Sequence, residues 1–254
     1  MTDTPPKQPV AACLIIIGSE ILSGRTKDAN LVFLAENLNA IGIRMTEALV
    51  IPDIESRIIE AVNDARPRFD YVFTTGGIGP THDDITSLAV AKAFGRKLHR
   101  HPDAERLLHA HYKPEDRTPA RMKMADVPEG ASLLDNPVSR APGFNVENVY
   151  VLPGVPRIMQ AIFDGFKHTL VGGETVHSLT VASFTQEGKV AARLEALQNE
   201  YPDMDMGSYP FIRDGRPGSS LVIRGTDMAR LNEAGEKLRG IVRDLGNEPF
   251  VDVT

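Results

Sequence analysis

Apolar positions in the first two thirds of the chain alternate between short continuous runs and helical repeats. Continuous apolar, β-branched runs predict strands over residues 10–17, 45–51, 71–75 and 148–152. Apolar residues at steps of three and four predict helices over residues 28–41, 54–65, 85–94 and 156–166. The run over 10–17 is apolar throughout, as expected of a central parallel strand that is covered on both faces. The pattern therefore predicts an α/β fold.

The last third of the chain follows a different order of elements. Strands are predicted over residues 175–184, 205–212 and 219–225, and helices over 190–201 and 228–245. Glycines at 172 and 173 suggest a boundary, so we expect one domain over residues 8–172 and a small α+β domain over 173–254. This β-α-β-β-α unit has no carboxylate cluster or phosphate loop, which favours a role in dimer contacts or in shaping a cleft.

Composition narrows the class of protein. Hydrophobic residues make up 42% of the 254 positions and charged residues 24%, which is ordinary for a globular protein. The net charge of -6 and the lack of a lysine and arginine block argue against a nucleic-acid partner. Cys13 is the only cysteine, so no disulfide within the chain is possible.

The start of the chain is polar and proline-rich, which predicts a loose tail rather than a signal peptide. No apolar run is long enough to cross a bilayer, so we expect a cytoplasmic protein with no membrane partner.

A glycine-rich turn is the most informative stretch. The predicted strand over 71–75 leads directly into a turn and then into a helix start. We expect ligand contacts from Gly76, Gly77, Gly79, Pro80 and Thr81. Glycines permit positive φ, so amides of residues 77–81 could face an anion near the positive end of the helix. This is the pattern of a phosphate cradle, although the glycines alone could also form nothing more than a turn.

Two carboxylates, Asp83 and Asp84, follow the turn directly. Beside a phosphate, carboxylates are suited to hold a divalent cation or to orient a water molecule, because bare carboxylates would repel the ligand. The alternative is that one of them only caps the helix.

Other polar residues fall at the ends of predicted strands or at helix starts. Parallel strands bring their carboxyl ends to one edge of a sheet, where ligands bind. We expect this edge to collect Gly18, Ser19, Glu20, Asn30, Asp53, Asn136, Pro153 and Gly154. Asp53 also occupies the position of a helix N-cap, so capping alone is an alternative for it.

Residues 113–130 lack clear periodicity and are typical of a functional lid. Arg117, Arg121 and Lys123 in this segment could reach the phosphates of a ligand. The alternative is that this basic, unstructured segment has no function.

The turn also resembles the signature of a known family. Residues 74–86 read Thr-Thr-Gly-Gly-Ile-Gly-Pro-Thr-His-Asp-Asp-Ile-Thr, which is similar to the molybdopterin-binding (MoaB/Mog-like) domain in the type found in the N-terminal half of CinA. Further matches, in the family's order, lie at residues 18–24, 28–30, 51–53, 136–137, 141–144 and 152–156. A related domain is fused to eukaryotic FAD synthase. The last third resembles the small module that follows in CinA, without the C-terminal deamidase domain.

The resemblance implies a three-layer α/β/α doubly wound sandwich. It also implies that Asp53 and Asp84 correspond to two carboxylates that face the ligand in Mog-like proteins. CinA-like chains commonly have Gly-Thr where this chain has Ser139-Arg140, and an arginine there could bind phosphate.

Three functions follow as hypotheses. The first is a metal-dependent nucleotide pyrophosphatase, for which the resemblance to CinA-like and FAD-synthase-linked domains implies ADP-ribose or FAD as the substrate. Asp53, Asp83 and Asp84 would be its catalytic residues and the ligands of Mg²⁺ or Co²⁺, with K⁺ as a further candidate. The second is a molybdopterin-binding or adenylating protein of molybdenum cofactor biosynthesis. The third is a non-catalytic binding module. The binding module would use its two domains to recognise a ligand or partner. The expected ligand is a small nucleotide or pterin phosphate, and because Mog-like domains commonly associate, a homo-oligomer is a further expectation.

Overall fold

A computed structural model describes residues 10–250, and the tail predicted at the start of the chain lies outside this range. The chain divides into two compact units between Gly173 and Glu174. No helix within the described range is both long and apolar enough to span a membrane.

Short strands and helices alternate in the first unit. The strands are β1 (Val10–Ile17), β2 (Ile43–Ile51), β3 (Tyr71–Thr75), β4 (Leu98–Arg100), β5 (Asp126–Pro128), β6 (Ser132–Leu134), β7 (Gly143–Val146) and β8 (Val149–Leu152). The helices are α1 (Ser19–Leu22), α2 (Asn30–Ala40), α3 (Glu55–Ala65), α4 (Thr86–Ala93), α5 (Pro102–His111), α6 (Pro119–Met122) and α7 (Pro156–Phe166).

Six of these strands form one sheet in the order β2-β1-β3-β8-β7-β6. The first four are parallel, so their carboxyl ends share one edge, and β7 and β6 extend the sheet in antiparallel fashion. The doubly wound α/β prediction is confirmed. Gly143 begins β7, a strand that the hydrophobic pattern does not predict. β4 pairs with β5 in a separate two-stranded sheet.

Alternate residues of β1 build two cores, one on each side of the sheet. Cys13, Ile15 and Ile17 face the side covered by α3 and α4. The residues between them, including Leu14 and Ile16, pack with α2 and α7. Both sets are almost fully buried, which explains why this strand is apolar at every position and why it lies at the centre of the fold.

The first unit ends in close backbone contact. The Gly173 amide donates a hydrogen bond to the Gly42 carbonyl over 2.9 Å. A Cβ on Gly172 would collide with the Ile41 carbonyl oxygen. Just before them, the Val171 amide donates to the Tyr71 hydroxyl oxygen over 2.9 Å. These glycines therefore pack against the turn between α2 and β2.

A three-stranded antiparallel sheet and two helices make up the second unit. The strands are β9 (His177–Ser183), β10 (Asp205–Arg213) and β11 (Arg216–Gly225), in the order β10-β11-β9, and the helices are α8 (Glu187–Glu200) and α9 (Met228–Asp244). An apolar core that includes Val190, Leu221 and Leu238 joins the helices to the sheet. The predicted β-α-β-β-α order is confirmed.

Candidate functional site

A cavity of about 510 Å³ lies at the carboxyl edge of the parallel strands. Its walls include most of the residues that were predicted from the sequence: Glu20, Asp53, Gly76, Gly77, Gly79, Pro80, Thr81, Asp83, Asp84, Asn136, Pro153 and Gly154. Loops after β1, β2, β3 and β8 thus meet at one place, because parallel strands end at the same edge.

The glycine loop, defined as residues 76–84, owes its shape to positive φ and to close packing. Gly76 has φ 106° and Gly77 has φ 67°, values that L side chains rarely adopt. A Cβ on Gly76 would collide with the Ile17 carbonyl, and one on Gly77 with the Thr86 hydroxyl. Only glycine therefore lets the chain leave β3, pass the end of β1 and approach α4.

Several amides of the glycine loop are available to a ligand. The Gly76 amide donates to the Leu152 carbonyl over 3.0 Å, but within residues 10–250 the amides of Gly77, Ile78 and Gly79 have no acceptor. All three residues line the cavity. The sequence predicted a cradle that included the Thr81 amide, and this part is wrong because Asp84 accepts that hydrogen bond over 2.8 Å. The cradle is shorter than expected.

Asp53 joins two loops of the site and Asp84 closes a turn within the glycine loop, and neither residue caps a helix. Asp84 Oδ2 accepts hydrogen bonds from the amide and the hydroxyl of Thr81, and no side chain caps α4. Asp53 Oδ2 accepts from the Ser19 amide over 2.8 Å, and α3 likewise has no side-chain cap. The capping alternative is therefore wrong for Asp53, Asp83 and Asp84.

The electrostatic character of the cavity is strongly acidic. Its lining includes the carboxylates of Glu20, Asp53, Asp83 and Asp84, and no lysine, arginine or histidine of the described range lines it. The Thr81 hydroxyl, together with Asp83's own backbone amide, holds the pKa of the Asp83 carboxyl below its usual range. Asp83 is therefore ionised at neutral pH. In the structure the same Thr81 hydroxyl donates to Asp84 Oδ2.

The described residues do not form a complete set of protein ligands for a metal ion. Among residues 10–250, no group of three or more histidine, cysteine, aspartate or glutamate side chains is placed to hold an ion. A cation in the cavity would need ligands from another molecule in addition to the carboxylates.

Some predicted site residues form hydrogen bonds that hold the loops around the cavity. Asn30 is 3% exposed and donates from Nδ2 to the Gly154 carbonyl over 2.9 Å. Asn136 is 1% exposed and uses its whole amide locally, donating to Ser139 Oγ and the Ala141 carbonyl and accepting from two amides. The Gly18 amide donates to the Ile51 carbonyl. Gly18, Ser19 and Asn30 do not line the cavity.

The excursion, defined as residues 98–128, contributes two neighbouring residues to the site. Lys123 Nζ donates to the Thr81 carbonyl over 2.8 Å, and Met124 lines the cavity. The other basic residues proposed to reach phosphates are used inside the excursion, because Arg117 donates to backbone carbonyls and Arg121 pairs with Asp116. Met124 was missed from the sequence because no periodicity marks its segment.

Arg140, the residue that departs from the CinA pattern, does not line the cavity. Its guanidinium lies 3.6 Å from Asp135. Its neighbour Ser139 lines the cavity instead.

Comparison with known proteins agrees with this geometry. Residues 13–172 match a family described as "Probable molybdopterin binding domain", and residues 175–245 match "FAD synthase, middle domain". A protein of Archaeoglobus fulgidus is 34% identical over 91% of this chain and 97% of its own length. A Caenorhabditis briggsae protein named "Probable FAD synthase" is 31% identical over 95% of this chain and 50% of its own length.

A solved structure extends the match to three dimensions. The crystal structure of CinA from Thermoplasma acidophilum is 36% identical and superposes with a TM-score of 0.60, covering 63% of this chain and 96% of that one. The family match spans the strands and loops that build the cavity. The chain therefore belongs to the molybdopterin-binding (MoaB/Mog-like) domain family, in the form that is found in CinA.

Proposed function

We propose that this protein is a metal-dependent nucleotide pyrophosphatase that hydrolyses ADP-ribose or FAD. The observation that carries the proposal is the pairing of three unbonded loop amides with four carboxylates in one cavity that no basic side chain lines within the described residues. Amides of this kind favour an anion, whereas the carboxylates oppose it. A ligand that satisfies both groups combines phosphate with a cation.

The balance of charge explains why a metal is needed. Two like charges 4 Å apart near a protein surface repel by about 4 kcal/mol, so a bare diphosphate would bind poorly here. Mg²⁺ is usually held by one or two carboxylates together with substrate phosphates, which suits a site without a complete cage. Asp53 and Asp84 would hold the ion. When bound, such an ion polarises phosphorus and offsets charge on the leaving oxygen.

The chain's own groups then have distinct roles. The amides of Gly77, Ile78 and Gly79 donate to phosphate oxygens and stabilise charge that develops on them. The carboxylate of Glu20 lines the cavity and has no hydrogen-bond partner within residues 10–250, so it is available to orient the attacking water. Water oxygen bonds to one phosphorus as the P–O–P link breaks. ADP-ribose would yield AMP and ribose 5-phosphate, and FAD would yield AMP and FMN.

The names of the relatives support a nucleotide ligand. The second unit matches the middle domain of FAD synthase, and a protein named as a FAD synthase matches nearly the whole chain. The family description points instead to molybdopterin, whose phosphate would suit the same amides. The test therefore includes both ligands.

Purified protein should be incubated with ADP-ribose, with FAD, and with molybdopterin plus ATP, each with EDTA, Mg²⁺, Co²⁺ or K⁺. We expect AMP release from ADP-ribose or FAD only when a divalent cation is present, measured by liquid chromatography. An adenylated pterin would favour the cofactor-biosynthesis alternative. Tight binding without product under every condition would favour a binding module and contradict the proposal.

Matched variants connect turnover to the cavity. Asp53→Asn and Asp84→Asn should each lower turnover by a factor on the order of 100 or more, because each removes a charged ligand of the cation. Asp164→Asn is the control, since that carboxylate is exposed on α7, pairs with Lys167 and does not line the cavity. Equal activity in all three variants would exclude the carboxylates from the mechanism.

A further inference from the structure

Lys123 contacts the glycine loop without lining the ligand cavity. Its ammonium donates to the Thr81 carbonyl over 2.8 Å, and in the described range no carboxylate lies within 4.0 Å of it as an ion-pair partner. Lys123 directly follows α6, in a segment that belongs to neither the main sheet nor its covering helices. The hydrogen bond joins this segment to the glycine loop at the Thr81 carbonyl.

Three residues of the glycine loop line two cavities at once. Ile78, Gly79 and Asp84 line the ligand cavity on one side and a second cavity of about 30 Å³ on the other. That second space has room for about one water molecule and is also lined by Lys123 and Asp126. Ile78 also packs against the core that α3 and α4 cover, whereas Gly79 has no side chain to pack.

We propose that Lys123 is a positioning residue of the site, which fixes the Thr81 carbonyl so that the loop amides and Asp84 stay directed into the ligand cavity. Thr81 is the link, because its amide and hydroxyl both bind Asp84 Oδ2 while its carbonyl binds Lys123. A displacement of Thr81 would move the Asp84 carboxylate with it. The activity arm of the test rests on the proposed pyrophosphatase function.

The first measurement does not depend on activity. Amide hydrogen exchange is followed by NMR in the free protein, without ligand or metal. In Lys123→Met, which keeps the aliphatic stem, we expect faster exchange of the Thr81 and Asp84 amides, because their bonds lie within the turn that Lys123 holds. Amides of β1 and β3 should be unchanged. Lys123→Arg should restore slow exchange, since a guanidinium can donate to the same carbonyl.

The second measurement is kinetic and uses ADP-ribose with Mg²⁺. Lys123→Met should lower kcat/KM by about 10- to 100-fold, the range for residues that orient a metal ligand without touching the metal. The Mg²⁺ concentration for half-maximal rate should rise, and Lys123→Arg should recover most of the rate. Lys113→Met, at an exposed position of the same excursion, is the control and should behave like the unchanged protein.

The outcomes separate the two proposals. If the unchanged protein cleaves no substrate, the pyrophosphatase proposal fails, and hydrogen exchange alone decides the role of Lys123. Unchanged exchange at Thr81 and Asp84 in Lys123→Met would overturn the positioning role. A general rise in exchange across β1 and β3 would also overturn it, because it would show that Lys123 supports the fold as a whole.

Discussion

The substitution Gly79→Ala adds one methyl group to the glycine loop. It tests whether Mg²⁺-dependent activity depends on the position of the Asp84 carboxylate rather than on the stability of the loop. A Cβ at this residue would lie 2.7 Å from Asp84 Oδ2 and 3.1 Å from Asp84 Cγ. Gly79 does not have a positive φ, so alanine is compatible with its backbone. The atom that must move is the end of a flexible side chain. Gly79→Ala should therefore rotate the Asp84 carboxylate away from Thr81 without unfolding the loop.

The expected cost follows from the contacts that are lost. Asp84 would give up two hydrogen bonds, each with a net contribution of about 1 kcal/mol. Replacing glycine by alanine where the backbone permits it returns about 0.4–1 kcal/mol through the unfolded state. The free energy of unfolding should fall by about 1 kcal/mol, which lowers Tm by about 2–4 °C for a domain of this size. The loss of Mg²⁺-dependent activity should be much larger, on the order of 100-fold.

Calorimetry and ADP-ribose turnover measure the two effects separately. Gly165→Ala in α7 is the matched control, because no atom lies within 4 Å of its added Cβ. It should raise stability by about 0.5–1 kcal/mol and leave turnover unchanged. Full activity in Gly79→Ala would show that turnover does not depend on the position of the Asp84 carboxylate, and an unfolded protein would show that the loop does not tolerate the methyl group.

Three further outcomes are expected. Cys13 has its pKa raised to about 12, first by burial and then by the charge of Glu47, so its thiol should react with a disulfide reagent at pH 8 only after unfolding. Asn136→Ala removes four local hydrogen bonds from a buried amide and should lower the urea-derived free energy of unfolding by about 2–4 kcal/mol, whereas an unchanged midpoint would contradict this role. Thr81→Val should raise the lowered pKa of Asp83 towards its usual value, visible by carbon NMR titration of the carboxyl. A lowered native pKa stabilises above the unfolded pKa, so this contribution is present at neutral pH and is lost as acid protonates Asp83 in the folded state.

The main sheet could be predicted because burial on both faces leaves a strong sequence signal. β1 is apolar at all eight positions, and the helices beside it repeat at three and four residues. β7 has only four residues and starts at a glycine, so its sequence looks like the end of a loop. Its strand character depends on antiparallel pairing with β6 and β8, which no local pattern reveals.

Residue types in the site were easier to predict than their contacts. Asp53 has the sequence position of a cap, yet it accepts a hydrogen bond from an amide 34 residues away, and this choice depends on the meeting of two strand ends. Arg117, Arg121 and Lys123 all carry a positive charge and are close in sequence. Only the path of the excursion brings Lys123 to the glycine loop, so sequence alone could not separate it from the other two.

The packed glycines at 172 and 173 have a practical consequence for dividing this protein. A glycine pair at the boundary between two units suggests a flexible linker that could be shortened, replaced or cut at any position. Here the Gly173 amide bonds to Gly42, and a side chain at Gly172 has no room. A truncation meant to isolate the first unit should keep both glycines. A fragment that ends at Leu170 would lose the hydrogen bond and the packing that these glycines give to the turn before β2, so we expect a lower yield of folded fragment.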